Sequence, residues 1–167
     1  MDFGEVTAML GVGLAVGGFV IGLGQYRKSQ QWKRAEFVAN EMKDFNAQPR
    51  VKNAKLMLDW TRQRVEIFPD DPDPNNRCVW VTHEDLAKAL IPHTEAEQGK
   101  FEEPLASIRL TFDEFFDHLE LFGSFMQARL VTREELDPYV DYWVRLLGDD
   151  TRGLMTPQLR ENIWCYI

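Results

Sequence analysis

An uncharged, glycine-rich run near the amino terminus limits what this chain can fold into more than any other feature. No Asp, Glu, Lys or Arg occurs from Val6 to Gly24, and Glu5 and Arg27 flank the run. About 20 residues at ~1.5 Å per residue form a helix of roughly 30 Å, which is the thickness of the hydrocarbon core of a bilayer. The run therefore predicts one transmembrane helix.

A signal peptide and a buried soluble helix both fit the run less well. A cleaved signal peptide carries Lys or Arg before its apolar region, whereas this chain begins with MDFGE. A helix buried in a soluble core is usually only about 10 to 14 apolar residues long and is not followed at once by basic residues. We predict a transmembrane anchor over residues 1–26 and a cytoplasmic domain over residues 27–167.

Basic residues follow the predicted span, whereas the charged residues before it are all acidic. The positive-inside rule places the basic side in the cytoplasm. The sequence thus predicts a protein of a bacterial inner or thylakoid-like membrane, with its amino terminus outside and the lipid bilayer as a partner. The predicted basic collar at the membrane interface consists of Arg27, Lys28, Lys33 and Arg34.

Glycines recur in the predicted span at spacings that favour contact between helices. Gly13 with Gly17, and Gly18 with Gly22, form two GxxxG pairs, which let a second transmembrane helix approach closely. Glycine is also common in membrane helices generally, so the composition of such helices accounts for the pattern equally well. The pattern fits self-association and docking on a larger membrane complex alike. The predicted packing residues are Gly11, Gly13, Ala15, Gly17, Gly18 and Gly22.

The rest of the chain is acidic. After Arg34 it holds 15 Lys and Arg against 25 Asp and Glu, a net charge of −10. Such a surface repels phosphate backbones, which argues against nucleic-acid binding. Cys78 and Cys165 lack the spacing of a zinc site or a disulfide scaffold, and they fit reduced cytosolic thiols.

Apolar periodicity predicts that the domain after the span is mainly helical, with one small β-hairpin. The first helix continues to about Asn46, and a second follows Pro49. The alternating stretches 64–68 and 78–82 flank the turn-forming DDPDPNN and predict an antiparallel hairpin. Thr82, followed by Asp85, predicts the cap of a short helix.

The strongest helical pattern runs from about Pro104 to Arg129 and predicts the central element of the core. Two further helices are predicted after Thr132 and after Thr156, each of which is a good capping residue. The seam of the long helix steps by three and four residues through Leu105, Ile108, Phe112, Phe115, Leu119, Phe122 and Met126.

Several stretches resemble bacterial single-span, membrane-anchored protein families of unknown function. They are QQWKRAEFVANEMKDF, LMLDW and IRLTFDEFFDHLELFGSFMQARLVTREELDPYVDYWV. The resemblance covers most of the chain and implies an amino-terminal transmembrane helix followed by a helical cytoplasmic domain. It implies no activity, and in such families further residues are expected after the last helix.

The sequence predicts no catalytic, cofactor-binding or metal-ligating residue. Glu114 and His118 lie four apart on the long helix and could share a metal, but the Glu-x-x-His pattern of di-iron bundles is absent. Arg109 and Asp113 fit an ion pair on the solvated face of that helix. The DDPDPNN stretch lacks the glycine and the glutamate of a calcium loop.

We therefore expect a non-enzymatic, single-pass accessory subunit of a larger membrane complex or of a homo-oligomer. The expected partners are other transmembrane helices, because the glycine pairs are the strongest recognition motif in the chain. The alternative is a membrane-anchored ligand sensor or metal-dependent enzyme that uses the acidic cluster around His118.

Overall fold

The computed structural model describes the backbone of residues 3–92, 101–148 and 155–167, and the side chains from Leu14 onward within these ranges. The described chain is mainly helical with one small antiparallel hairpin, as the sequence predicts. It divides into two compact units, Met1–Asn40 and Glu41–Ile167.

Helix α1 spans Phe3–Ala47 without interruption. It contains no proline, and it ends where Pro49 forces the preceding Gln48 into an extended conformation. The predicted apolar stripe of its carboxy-terminal part is confirmed from Val38 onward, because Val38, Met42 and Phe45 are at most 3% exposed.

The prediction of a membrane-spanning helix is wrong. Among the residues whose side chains the structure describes, no helix is both long enough and apolar enough to cross a bilayer. Within that range, polar and basic residues follow Gly24 directly. Gly11 and Gly13, in the first half of the predicted span, lie outside the described side chains.

Helix α2, Pro49–Asp59, buries Val51, Ala54, Met57 and Leu58. It packs against strand β1, Arg62–Glu66, which pairs antiparallel with strand β2, Cys78–Thr82. The hairpin is confirmed, although β1 begins and ends two residues earlier than predicted. The ladder stops at Glu66 because the N–H groups of Ile67 and Phe68 both donate to the Arg77 carbonyl.

Helix α3, His83–Ala89, follows β2 directly. Its predicted cap is confirmed as a capping box, in which the Asp85 amide donates to the Thr82 hydroxyl and the Asp85 carboxylate accepts from the Thr82 amide. Because Thr82 is also the last residue of β2, this cap fixes the junction between β2 and α3.

The long helix α4, Glu103–Gln127, is the centre of the core, as predicted. It contacts α2 and α3. Phe45 of α1 lies against its aromatic side chains, with ring centroids 5.9 Å from Phe115 and 5.4 Å from Phe122. The predicted seam is buried at Ile108, Phe112, Phe115 and Phe122, and it opens to solvent by Met126, which is 40% exposed.

Two helices complete the described chain, α5 over Arg133–Gly148 and α6 over Pro157–Tyr166. The predicted cap of α6 is confirmed, because the Thr156 hydroxyl accepts from the Leu159 amide. Helix α6 packs on α3, where the Asn162 side chain donates to the Ala87 carbonyl at 2.6 Å.

Candidate functional site

The most unusual surface of the described chain is the apolar segment of α1, which we define as Leu14–Leu23. Its large side chains are all exposed, from 41% at Leu23 to 78% at Leu14. They are distributed around the whole helix and do not form one stripe. A helix that is apolar on all sides is normally buried, so this segment has the surface of an interaction site. Its large apolar side chains are Leu14, Val16, Phe19, Val20, Ile21 and Leu23.

The glycines of this segment leave its backbone accessible. A Cβ atom added at Gly17, Gly18 or Gly22, or at Gly24 directly after the segment, would meet no heavy atom within 4 Å in the described structure. Ala15 is exposed as well. Their role in helix packing stays a prediction, as does that of Gly11 and Gly13, whose surroundings lie outside the described side chains.

The basic collar follows the apolar segment along α1. All four of its side chains are exposed, and none forms a salt bridge with a described residue. Trp32, between the two basic pairs, is 77% exposed. The collar therefore offers positive charge beside an apolar surface, and its four residues are Arg27, Lys28, Lys33 and Arg34.

The acidic cluster around His118 is tied into the packing of α4. The His118 Nδ1 atom lies 2.7 Å from the Glu114 carbonyl, and the imidazole ring centroid is 5.4 Å from that of Phe45. The Glu114 carboxylate pairs with Arg50 at 3.1 Å. No group of three metal-ligating side chains occurs within the described ranges. His118 and Glu114, the two residues that could share a metal, thus make contacts within the fold in this structure.

The predicted ion pair of Arg109 with Asp113 on a solvated face is wrong. The Arg109 guanidinium is buried, and its Nη1 atom donates to the Ala89 and Ile91 carbonyls at 3.0 Å each. It also lies 4.5 Å from the ring centroid of Tyr166. Burial and a hydrogen bond to Asp113 raise the pKa of the Tyr166 hydroxyl.

Lys55 is a second charged residue in an unexpected environment. Its Nζ atom is 4.2 Å from the ring centroid of Phe45 and 5.5 Å from that of Trp143, and it donates a hydrogen bond to Asn46. Burial lowers the pKa of this amine, against the opposing effect of Asp59. Because Phe45 lies on the preceding helix and Trp143 on a distant one, the periodicity within α2 contains no signal for this contact.

His83 is the most deeply buried histidine of the described chain, with 6% of its surface exposed. Its Nε2 atom has no hydrogen-bond partner among the described residues. Burial lowers the pKa of the imidazole, although a hydrogen bond to the Met57 carbonyl acts in the opposite direction. The net lowering of its pKa favours the neutral form of the imidazole at the start of α3.

Comparison with protein-family models, with curated proteins and with solved structures finds no match for this chain. The resemblance to single-span bacterial families stays a prediction, and so does the expected cellular location. The surfaces described above are therefore the basis for inferring a function.

Proposed function

We propose that this protein is a non-enzymatic accessory subunit that joins a larger assembly through the apolar segment of α1. The observation that carries the proposal is the exposure of six large apolar side chains around one continuous helix. Full burial of such a side chain contributes roughly 1.5 to 3 kcal/mol. Association that covers several of them is therefore strongly favoured.

The complementary partner surface is a set of apolar helices. A helix that is apolar on all sides needs neighbours on more than one side, and Gly17, Gly18 and Gly22 allow their backbones to approach closely. Covering the segment with helices also leaves no main-chain group unsatisfied, because α1 makes its own hydrogen bonds.

Charge favours a different protein over a second copy of this chain. Parallel pairing of two α1 helices would place the two basic collars side by side, and juxtaposed like charges oppose association. A partner with acidic side chains next to its apolar helices would instead pair with the collar. We therefore propose a hetero-complex with such a partner.

The glycine test compares two double variants. Replacing Gly17 and Gly18 by isoleucine adds bulk where the partner helix approaches, whereas replacing both by alanine adds only a methyl group. In affinity purifications from the native cells, quantified by mass spectrometry, we expect the isoleucine variant to lose its main co-purifying protein at least tenfold. The alanine variant should retain it, and equal recovery with both variants would contradict the proposal.

A charge-reversal variant distinguishes the possible partners of the apolar segment, which are a different protein and a second copy of this chain. Changing Lys33 and Arg34 to glutamate should weaken a hetero-complex with an acidic partner. A parallel homodimer would still place like charges side by side, so the same change should not weaken it in the same way, which sedimentation of the purified protein would detect. Binding of the purified wild-type protein to phosphatidylcholine vesicles, with no protein partner present, would assign the segment to lipid and contradict a protein partner.

A further inference from the structure

The two strands of the hairpin have outer edges with different surroundings. The hydrogen bonds from the His83 amide to the Thr61 carbonyl and from the Ile67 amide to the Arg77 carbonyl lie at the two ends of the ladder. They establish which residues direct their main-chain groups to the partner strand and which direct them outward. In an antiparallel pair, every second residue directs its N–H and C=O groups to the partner strand. On β2 these are Val79 and Val81, so the main-chain groups of Cys78 and Trp80 point away from β1.

The outer edge of β1 is occupied at the end that contains Glu66. Helix α2 packs against this strand, and the Asn53 side chain donates to the outward-facing Glu66 carbonyl at 2.7 Å. On β2 the outward-facing amide of Thr82 is likewise satisfied by the Asp85 carboxylate at 2.9 Å. The outward groups of Trp80 have no partner among the hydrogen bonds of the described residues.

A cavity of about 670 Å³, which we call the β2 groove, lies beside this edge. Val79, Trp80 and Val81 all line it, although neighbouring side chains of a strand point to opposite faces. The groove therefore runs along the strand edge rather than over one face. Its opposite wall comes from the helices and the residues beside them, and no β1 residue lines it. Leu105 and Ile108 make part of this wall apolar, whereas Asp85, Lys88 and Glu102 add charged groups.

We propose that the β2 groove binds an extended segment of a partner protein, which adds to β2 as a third strand. Unpaired main-chain donors and acceptors next to an apolar wall are the two components of recognition by strand addition. The Trp80 N–H and C=O groups supply hydrogen bonds, and the helical wall receives alternate side chains. The segment therefore has apolar residues at every second position.

The unpaired main-chain groups of Trp80 favour an extended peptide segment over a helix or a small apolar molecule. A partner helix has no free backbone groups along its length to meet those of Trp80. A small apolar molecule would leave the same groups buried without partners, which costs free energy. The proposal concerns a different surface from the apolar segment of α1 and does not depend on its function.

The first experiment selects ligands from random sequences, so the partner need not be identified beforehand. The full chain is screened with a phage-displayed library of random linear dodecapeptides. We expect enriched sequences with apolar residues at alternate positions. Enrichment of a spacing of three and four residues would indicate a helix and overturn the proposal, as would the absence of any enriched sequence.

The Trp80→Pro variant tests the main-chain contact. Proline removes the N–H group that points into the groove but no hydrogen bond of the β1–β2 ladder, and edge strands accept it at such positions. Fluorescence polarisation should show at least tenfold weaker binding of the selected peptide. Trp80→Ala is the matched control, because it removes the ring and keeps the N–H group, and it should bind more tightly than Trp80→Pro.

N-methylation of the selected peptide tests the same contact in the wild-type protein. Methyl groups placed on one amide at a time should abolish binding at alternate positions only, because alternate amides face β2. Uniform tolerance of N-methylation would overturn the proposal even if Trp80→Pro failed to fold.

Discussion

At the scale of single residues, Arg109 shows how a charge is held in the core of this protein. Helix α3 ends with carbonyl groups that have no partner within the helix, and the guanidinium of Arg109 donates to Ala89 and Ile91. The Tyr166 ring lies against the same guanidinium. Arg109 thereby connects α3, α4 and α6 at one point.

The Arg109→Met variant should lose about 2 to 3 kcal/mol of unfolding free energy, because it leaves buried carbonyls without donors. Urea denaturation measures this loss. Arg133→Met is the matched control, since Arg133 forms only an exposed ion pair with Asp137, and it should change stability by less than about 0.5 kcal/mol. Equal effects of the two substitutions would contradict a structural role of the buried guanidinium.

His83 should make the stability of the protein depend on pH. Its pKa is lowered in the folded state by burial, so the unfolded chain takes up a proton first as the pH falls below about 6.5. The free energy of unfolding should therefore decrease from pH 7.5 to pH 5.5, beyond the effect of other groups.

The His83→Gln variant isolates this contribution, because it removes the titrating group and keeps a polar side chain of similar size. Urea denaturation at both pH values should give a smaller pH-dependent loss than in the wild type. An identical loss in both proteins would show that His83 does not couple folding to pH.

The environments of these residues were not predictable from sequence. Arg109 and Asp113 are four apart on a helix, and that spacing is typical of a solvated ion pair. The carbonyls that Arg109 contacts lie 18 and 20 residues earlier in the chain. Only the packing of α3 on α4 brings them together, and no local pattern encodes that packing.

At the scale of elements, α4 should carry more of the stability than any other described helix. Phe115 is fully buried and contacts aromatic side chains from α1 and α5, with ring centroids 5.9 Å from Phe45 and 6.2 Å from Trp143. Because neighbouring helices meet at this side chain, its removal leaves a cavity that the core cannot easily close.

The Phe115→Ala variant should lose about 3 to 5 kcal/mol of unfolding free energy, measured by urea denaturation. Leu110→Ala on the same helix is the control, because Leu110 is 47% exposed, and it should cost less than about 1 kcal/mol. A loss of similar size for both variants would contradict the central position of Phe115.

Element boundaries followed the local rules closely where a capping residue or a proline sets them. Thr82 and Thr156 begin helices as predicted, and Pro49 ends the preceding helix. The tyrosines of α5 do not follow their pattern. The spacing of Tyr139 and Tyr142 with Trp143 and Leu146 predicts that both tyrosines lie on the apolar face of the helix, yet they are 46% and 42% exposed. Their polar hydroxyl groups allow this exposure, which apolar periodicity does not take into account.

At the scale of the whole molecule, sequence patterns predicted the helical class and the hairpin but not the long-range contacts. Periodicity reports which face of an element is buried and not which element covers it. The contact of α6 with α3 is an example, because no sequence motif in either helix indicates that the other one packs against it. The error about the transmembrane helix has another origin, because that prediction rested on the absence of charge and on length rather than on mean hydropathy, and no helix of the described residues is long and apolar enough to span a bilayer.

The hydrogen bond between Asn162 and Ala87 joins residues that are 75 positions apart in the chain. During synthesis, this separation sets the delay between the appearance of α3 and that of the helix that packs on it. At about 5 to 20 residues per second, a ribosome needs roughly 4 to 15 seconds to proceed from one to the other. Throughout that interval α3 lacks helix α6, which packs on its surface in the finished fold. A nascent chain therefore presents this surface to chaperones for seconds, long after the hairpin next to it has had time to form.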